Sequence, residues 1–404
     1  MFVMYKNFAL ILIAIFFSLN ASEASSVLMK DDVQDEIVTL QTEDMYKVEA
    51  EIQDFKALKD EENSLKKVLK DVYNLEIEKY DKPSYLFEEP FTHRFKESSP
   101  MDYTHFWAAY NGDAGINFSQ DGKITNHYEF NAINVGYDGF FKNNNADFRM
   151  MLRFVPESSR NFTQELFGDM YVATNKIPHH RFQAGYYRPQ VGQEGGVSAY
   201  VIPFLNRSQI SRNMGVARKL GARVVGNYPL VGYDVGVYSS DTYLKEFFPG
   251  GEFTSWVTLK PLGKTDGKYG DLKIAGGVQA GHRSNNYCVT GAYVGYDYKR
   301  FHADFEWAHA NGYNGLSGHY TDKHAGGFYA TLGYMITKKL QVLARYDQFD
   351  PDKNVTNDKN REYTLGLNYF IKGQALRFIV NYIFCQKDGA KDSHRILIGT
   401  QILF

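Results

Sequence analysis

Cysteine is almost missing from this chain: 404 residues hold only Cys288 and Cys385. Two thiols cannot staple a disulfide scaffold or build a cysteine zinc site. Alternation of the neighbouring residues points Cys288 outward and Cys385 inward, which argues against a bridge between them. Long apolar runs are also missing. Mean hydropathy is -0.42, and after residue 21 no stretch is long and apolar enough to cross a bilayer as a helix. That excludes a helical membrane protein but not a membrane barrel, whose alternating strands hide their lipid face from a hydropathy average. The signatures of chemistry are absent as well. There is no phosphate-binding glycine loop, dinucleotide fingerprint or nucleic-acid module, and no Ser–His pair or activated nucleophile. Asp350-Pro351-Asp352-Lys353-Asn354 begins like a calcium loop, but Val355 and Arg361 stand where that loop needs Gly and Glu. His179 and His180 are adjacent on a strand and point to opposite faces, so they make no metal pair. No catalytic residue, metal site or cofactor is expected.

Aromatics, in contrast, are abundant. Thirty Tyr and 30 Phe bring the aromatic share to 16%, more than a packed soluble core needs and enough for two aromatic girdles.

Read in order, the chain changes character twice. Lys6, an apolar core from Phe8 to Leu19 and the small residues Ala21, Ser22 and Ala24 have the layout of a secretory signal peptide, cut after Ala21 or Ala24. From Asp31 to about Ile77, Met45, Val48, Ile52 and Phe55, then Leu58, Leu65, Val68 and Val72, form one narrow apolar seam at helical spacing. Charged residues fill the positions between. Residues 25–80 are therefore expected to form a periplasmic helical, coiled-coil-like segment; a single helix on its own barrel, or a tether, is the alternative. A linker at 81–100 follows. Charge divides the same way. Residues 25–80 hold 8 lysines against 15 acidic residues, a balance of -7, whereas 81–404 hold 36 basic against 31 acidic, a balance of +5.

Beyond residue 100 the period becomes two. Phe148, Met150, Leu152 and Phe154 alternate with Arg149 and Arg153; Phe182, Ala184 and Tyr186 with Arg181, Gln183 and Gly185. The same holds for Phe301–Trp307, where His302, Asp304 and Glu306 share the polar face, for Tyr363–Tyr369 and for Leu376–Tyr382. One face is apolar with aromatics at its ends; the other carries charges and amides. Alternation alone leaves open which face is inside. Export, aromatic surplus and the closing strand Arg395–Phe404 favour the membrane kind. In that strand Ile396, Ile398, Ile402 and Phe404 share one face, and Arg395, Gly399 and Gln401 the other, with Leu397 and Leu403 as exceptions. Short turns (143–145, 176–178, 227–229, 337–339, 372–374) alternate with long polar connections (156–165, 188–215, 239–251, 311–323, 348–361, 386–393). Periplasmic turns and extracellular loops alternate in this manner. The expected fold over 101–404 is an all-β transmembrane barrel of about sixteen antiparallel strands in the outer membrane of a Gram-negative bacterium.

These residues resemble a known family. Arg181–Glu194, with Gly185, Pro189 and Glu194, is similar to the strand-to-loop signature of the phosphate-selective porin O/P family. So are Arg345-Tyr346-Asp347, Thr364–Tyr369 and the closing Arg395–Phe404. The resemblance covers roughly 120–404. It implies a trimeric, sixteen-stranded porin whose third extracellular loop, here Arg188–Gly215, folds inward to narrow the pore. It also implies arginine ladders on the wall and a lysine cluster that guide anions. This chain departs from that pattern: its third loop carries Arg188, Glu194, Arg207 and Arg212, and no lysine cluster.

The candidate anion-guiding residues of the wall are Arg149, Arg153, Arg181, Lys219, Arg223, Arg345, Arg377 and Arg395, because a guanidinium keeps its charge and grips phosphate or carboxylate through paired N–H donors. The bland alternative is that they balance Asp169, Asp304, Glu306 and Asp347 across the interior. The reading is a passive channel for small hydrophilic solutes with anion preference, phosphate being one candidate, surrounded by outer-membrane lipid. A non-selective porin and a barrel enzyme are its rivals.

Overall fold

The computed structural model describes residues 85–86, 91–142, 145–154, 166–215, 217–242, 244–313 and 320–404, the side chains of 127–132 and 320–322 excepted. The expected signal peptide and helical segment lie outside them. One compact unit spans Leu69–Phe404.

Within it, a three-residue strand β1 (Thr92–Arg94) precedes sixteen long ones. These are β2 (Met101–Ser119), β3 (Ile124–Phe141), β4 (Ala146–Phe154), β5 (Phe167–Thr174), β6 (His180–Tyr187), β7 (Lys219–Asn227), β8 (Val231–Ser239) and β9 (Gly251–Leu259). Then follow β10 (Asp271–His282), β11 (Asn286–Tyr298), β12 (Phe301–Tyr313), β13 (Tyr320–Met335), β14 (Leu340–Asp350), β15 (Asn360–Lys372), β16 (Leu376–Lys387) and β17 (Ser393–Leu403). Each pairs antiparallel with its sequence neighbour, and β17 pairs with β2, from Ser393 opposite Ser119 to Leu403 opposite Ala109. The sheet has no open edge: it is a closed sixteen-stranded barrel. Closure matters physically, because lipid offers no hydrogen-bond partner to an unpaired strand.

Below the seam β2 outruns β17, and there β1 pairs with Tyr103–His105. Thr92–Arg94, within the stretch expected as a linker at 81–100, thus adds a short strand beside β2. Phe404 extends the seam by one residue: its N–H donates to the Ala108 carbonyl at 2.7 Å.

Side-chain direction is inverted relative to a soluble barrel. On β15, Tyr363, Leu365, Leu367, Tyr369 and Ile371 are exposed, Leu365 at 60%, whereas Thr364 and Asn368 between them are buried, Asn368 at 0%. β16 repeats this, with Phe378, Val380 and Tyr382 outward and Arg377, Ile379 and Asn381 inward. Ring contacts run around the outside across β14–β17: Tyr346 to Tyr363 at 5.0 Å, Tyr363 to Phe384 at 5.8 Å, Phe384 to His394 at 4.8 Å. An apolar exterior belted with rings suits hydrocarbon between two interfaces. Both cysteines are free, Cys288 outward and Cys385 packed toward an inner cluster.

Turn chemistry fits the connections. Gly373 takes φ 51° in the β15–β16 turn, a region glycine enters without penalty. Gly185, at φ 140°, allows Met170 of β5 to approach so closely that a Cβ would sit 2.3 Å from its carbonyl oxygen.

Candidate pore constriction and luminal charges

The connection from β6 to β7 does not stay at the rim. It enters the lumen, and Tyr200, Val201, Ile202, Phe204, Leu205, Ile210 and Met214 within it are buried. Two short helical turns, α1 (Gln193–Gly196) and α2 (Ser211–Gly215), shape its ends. A buried loop must satisfy its backbone groups, and the wall supplies the partners one by one. Gln401 donates to the Tyr200 carbonyl at 3.0 Å and Arg377 to that of Ile202 at 2.8 Å. Asn368 donates to the carbonyl of Pro203 at 2.8 Å and Arg345 to that of Asn206 at 3.1 Å. In the other direction, the Leu205 N–H donates to Asn381 Oδ1 at 2.9 Å and the Gln209 N–H to Asp347 Oδ2 at 2.7 Å. The Gln193 and Glu194 N–H groups donate to the two carboxyl oxygens of Glu306, at 2.7 and 3.1 Å.

Apolar contacts complete the seat, and they explain the exceptions in the closing strand. Leu397 faces inward because it packs with Leu205, Ile379 and Ile383. Leu403 does so because it joins Trp107, Ala109, Met151 and Tyr200. Ile210 and Met214 dock on Tyr287, Val289, Ala308, Ala310, Ala325, Tyr329 and Phe349 of β11–β14. Glycine makes the room. A Cβ at Gly399 would stand 2.3 Å from Leu205 Cδ2, and one at Gly366 2.8 Å from Phe204 Cε1. The loop is thus strapped across β11–β17 and β2.

This strap sorts the cations proposed from the sequence. Arg345 and Arg377 lie beneath it and hold it; Arg377 is 0% exposed, and Arg345 stacks over Phe204 at 4.5 Å. Lys219 is buried against Glu252, between the rings of Tyr287 and Tyr313. Arg149, Arg181 and Arg223 stand on the opposite wall, partly exposed, each paired: Arg149 with Asp138 and Arg181 with Asp147, both at 2.6 Å, and Arg223 with Asp234 at 2.8 Å. Their other faces lie against Trp107, Tyr171 and Tyr187. Arg395 shares Glu362 with the loop's Arg212, at 2.9 and 2.8 Å. Glu194 is folded into the loop, accepting the Ser208 N–H at 2.6 Å, with Arg345 at 3.4 Å.

Arg153, Arg207 and a residue the sequence reading passed over, Arg218, all lie within electrostatic reach of Arg188. Arg188 and Arg207 both donate to the Val197 carbonyl, at 2.9 and 2.7 Å, and Arg207 also to that of Glu194. Arg218 pairs with Asp169 at 2.6 Å. Burial, with Arg207 and Arg218 close by, pushes Arg188 well below the usual arginine value, and Arg153 lies within electrostatic reach of it. Burial likewise lowers Arg207. An arginine does not surrender its proton; the depression reflects chiefly the burial of these guanidinium groups. Arg218 could have been found in the sequence only as one more loop cation, since nothing in its spacing ties it to Arg188.

A closed barrel with an apolar exterior, a polar interior and a third loop strapped inside it has the architecture of an outer-membrane porin barrel, and that is the class of fold the chain adopts. More particularly, residues 266–404 match the family described as phosphate-selective porin O and P. No curated protein matches the chain. Among solved structures, it resembles the outer membrane channel DcaP of Acinetobacter baumannii, at 12% identity over 77% of this chain and 100% of that one, TM-score 0.54. It also resembles the anion-selective porin from Comamonas acidovorans, at 11% identity over 74% of this chain and 99% of that one, TM-score 0.54. OprB of Pseudomonas putida aligns at 10% identity over 74% of this chain and 94% of that one, again with TM-score 0.54.

Proposed function

We propose that the chain is a passive diffusion channel, not an enzyme, and that it prefers small anions to cations. One observation carries the preference: among the described residues, Arg153, Arg188, Arg207 and Arg218 gather where the constriction loop leaves β6, close to Asp169 and Glu194. The Arg212–Glu362–Arg395 triad adds a further positive charge. In a narrow passage with low-dielectric walls such an excess concentrates anions. The Comamonas neighbour's name fits this reading.

The same geometry argues for weak rather than tight binding. Arg149 and Arg181 spend two donors each on Asp138 and Asp147, so one paired N–H edge of each guanidinium is already occupied. Carboxylates and phosphate should pass without lodging. Those ion pairs also favour the second reading, a pore without preference.

The test is the reversal potential of the purified protein across a KCl gradient in planar bilayers, with phosphate then added. Anion preference that falls in Arg188→Ala and again in Arg153→Ala is the expected result. Cation preference in the wild type refutes the reading, and hydrolytic turnover without conductance steps refutes the channel itself.

We further propose a homotrimer assembled with help from the segment at 25–80. An apolar seam joined to each barrel through residues 81–100 raises the local concentration of sister segments.

A further inference from the structure

At the end of the barrel where the short turns and Phe404 lie, charge is unevenly spread. Three successive turns there are residues 260–270 between β9 and β10, 299–300 between β11 and β12, and 336–339 between β13 and β14. Together they hold seven cations and a single acid, Asp266. Lys260 is engaged by Asn227 Oδ1 and the Tyr228 carbonyl. The other six, Lys264, Lys268, Lys299, Arg300, Lys338 and Lys339, are exposed. The remaining turns of this end add little: Lys142 pairs with Asp102 at 3.6 Å, Lys372 donates to the Leu86 carbonyl at 2.7 Å, 175–179 holds one lysine and 228–230 no charge. Nor does the opposite end share the excess. Its connections 120–123, 240–250, 283–285, 351–359 and 388–392 hold six cations against seven acids.

The cations of this arc belong to the outer surface. Lys268 lies over the Tyr269 ring at 5.1 Å and Lys299 over the Tyr298 ring at 5.0 Å. Tyr298 stacks on Tyr296, whose hydroxyl donates to the Tyr269 carbonyl at 2.8 Å. Arg300 donates to the Ile336 carbonyl at 3.2 Å and so ties the second turn to the third. Directly beside them the apolar exterior begins, with Tyr269, Phe301, Tyr334 and Ile336 between 42% and 53% exposed. The acids at the neighbouring strand ends are engaged elsewhere, Asp271 with Lys273 at 3.0 Å and Asp297 with His302 at 2.6 Å.

We infer that this arc, the β9–β10, β11–β12 and β13–β14 turns with the exposed rings at their base, binds the headgroups of anionic phospholipids in the leaflet at the short-turn end. An occupant must offer an anion to the cations and hydrocarbon to the rings beside them, and a phospholipid carries both in that order. Free phosphate offers only the first. Successive hairpins stand roughly 10 Å apart, so the charge is spread along a row, as headgroups are. Lysine and arginine stems lie along apolar surface while their heads reach the interface, and each such cation strengthens attraction to anionic lipid about fivefold.

The experiment is native mass spectrometry of the full-length protein in detergent, titrated with phosphatidylglycerol, with phosphatidylcholine of the same chains and with inorganic phosphate. Retention of phosphatidylglycerol where phosphatidylcholine is lost is the expected result. Lys338→Gln combined with Lys339→Gln should weaken that retention about fivefold for each cation removed, whereas Lys353→Gln, at the opposite end, should leave it unchanged. Should the double variant fail to fold, Lys264→Gln with Lys268→Gln repeats the test on another turn. Equal retention of the two lipids overturns the inference, as does phosphatidylglycerol binding that survives both double variants. Displacement of the lipid by inorganic phosphate alone would make the arc a free-anion site and overturn it too. Ion selectivity is measured separately by reversal potential, so failure here and failure of the anion reading are distinguishable.

Discussion

Arg377→Met separates a strap-holding cation from an ion-guiding one. The Arg377 side chain is fully buried; its Nη2 donates to the Ile202 carbonyl at 2.8 Å and to Gln401 Oε1 at 3.0 Å. Methionine keeps the length and apolar stem but donates nothing, so Ile202 is left with a buried carbonyl stripped of that donor. Losing such a bond costs about 1–3 kcal/mol. The barrel wall is held by ladder bonds that the substitution does not touch, and the neighbouring loop attachments at Tyr200, Pro203 and Leu205 remain. The cost therefore falls on the stretch around Ile202. About 2 kcal/mol corresponds to a roughly 30-fold larger population of the detached stretch. Hydrogen exchange at the amides of Val201, Ile202 and Leu205 should quicken by that order, and open-channel current noise should rise. Reversal potential should hardly move, because the loop screens Arg377 from the passage. A marked loss of anion preference with unchanged exchange would refute the assignment and place Arg377 among the groups that meet ions.

Other perturbations test other joints. Gly399→Val puts a side chain into the space of Leu205, so the strap must lift toward the open lumen, and single-channel conductance should fall while the barrel still forms. Leu205→Ala should loosen the same seat by about 2–5 kcal/mol, seen as faster protease cleavage within the loop but not of the wall. Phe404→Ala removes an outward ring beside the last pair of the β17–β2 seam, at a cost of about 1.5–3 kcal/mol if that ring is buried in lipid. The folded fraction on an unheated gel should drop. Deleting Asp31–Ile77 should reduce the mass measured by light scattering in detergent from trimer to monomer; an unchanged trimer would leave that segment as a spacer.

Strand, turn and loop were legible in the sequence because they depend on near neighbours. Alternation over Tyr363–Tyr369 and Leu376–Tyr382, and the rhythm of short turns and long connections, follow from period two and from backbone chemistry. They yielded the barrel, its strand number and the identity of the third loop. What alternation could not decide was which face is inside, since Leu365 and Asn368 read the same in either kind of barrel; only closure of β17 on β2 with the apolar residues outward settles it. Nor could it assign the cations. Arg149, Arg345 and Arg377 look alike as inward arginines on polar faces, yet one stands partly exposed beside Asp138 and two lie under Ile202, Phe204 and Asn206. That difference depends on where a loop more than 130 residues earlier in the chain comes to rest. The inward Leu397 and Leu403, exceptions to a polar face, were the sequence's trace of that seat. Their meaning appears only when the loop that covers them is in place, because burial is a property of two surfaces and sequence spacing describes one.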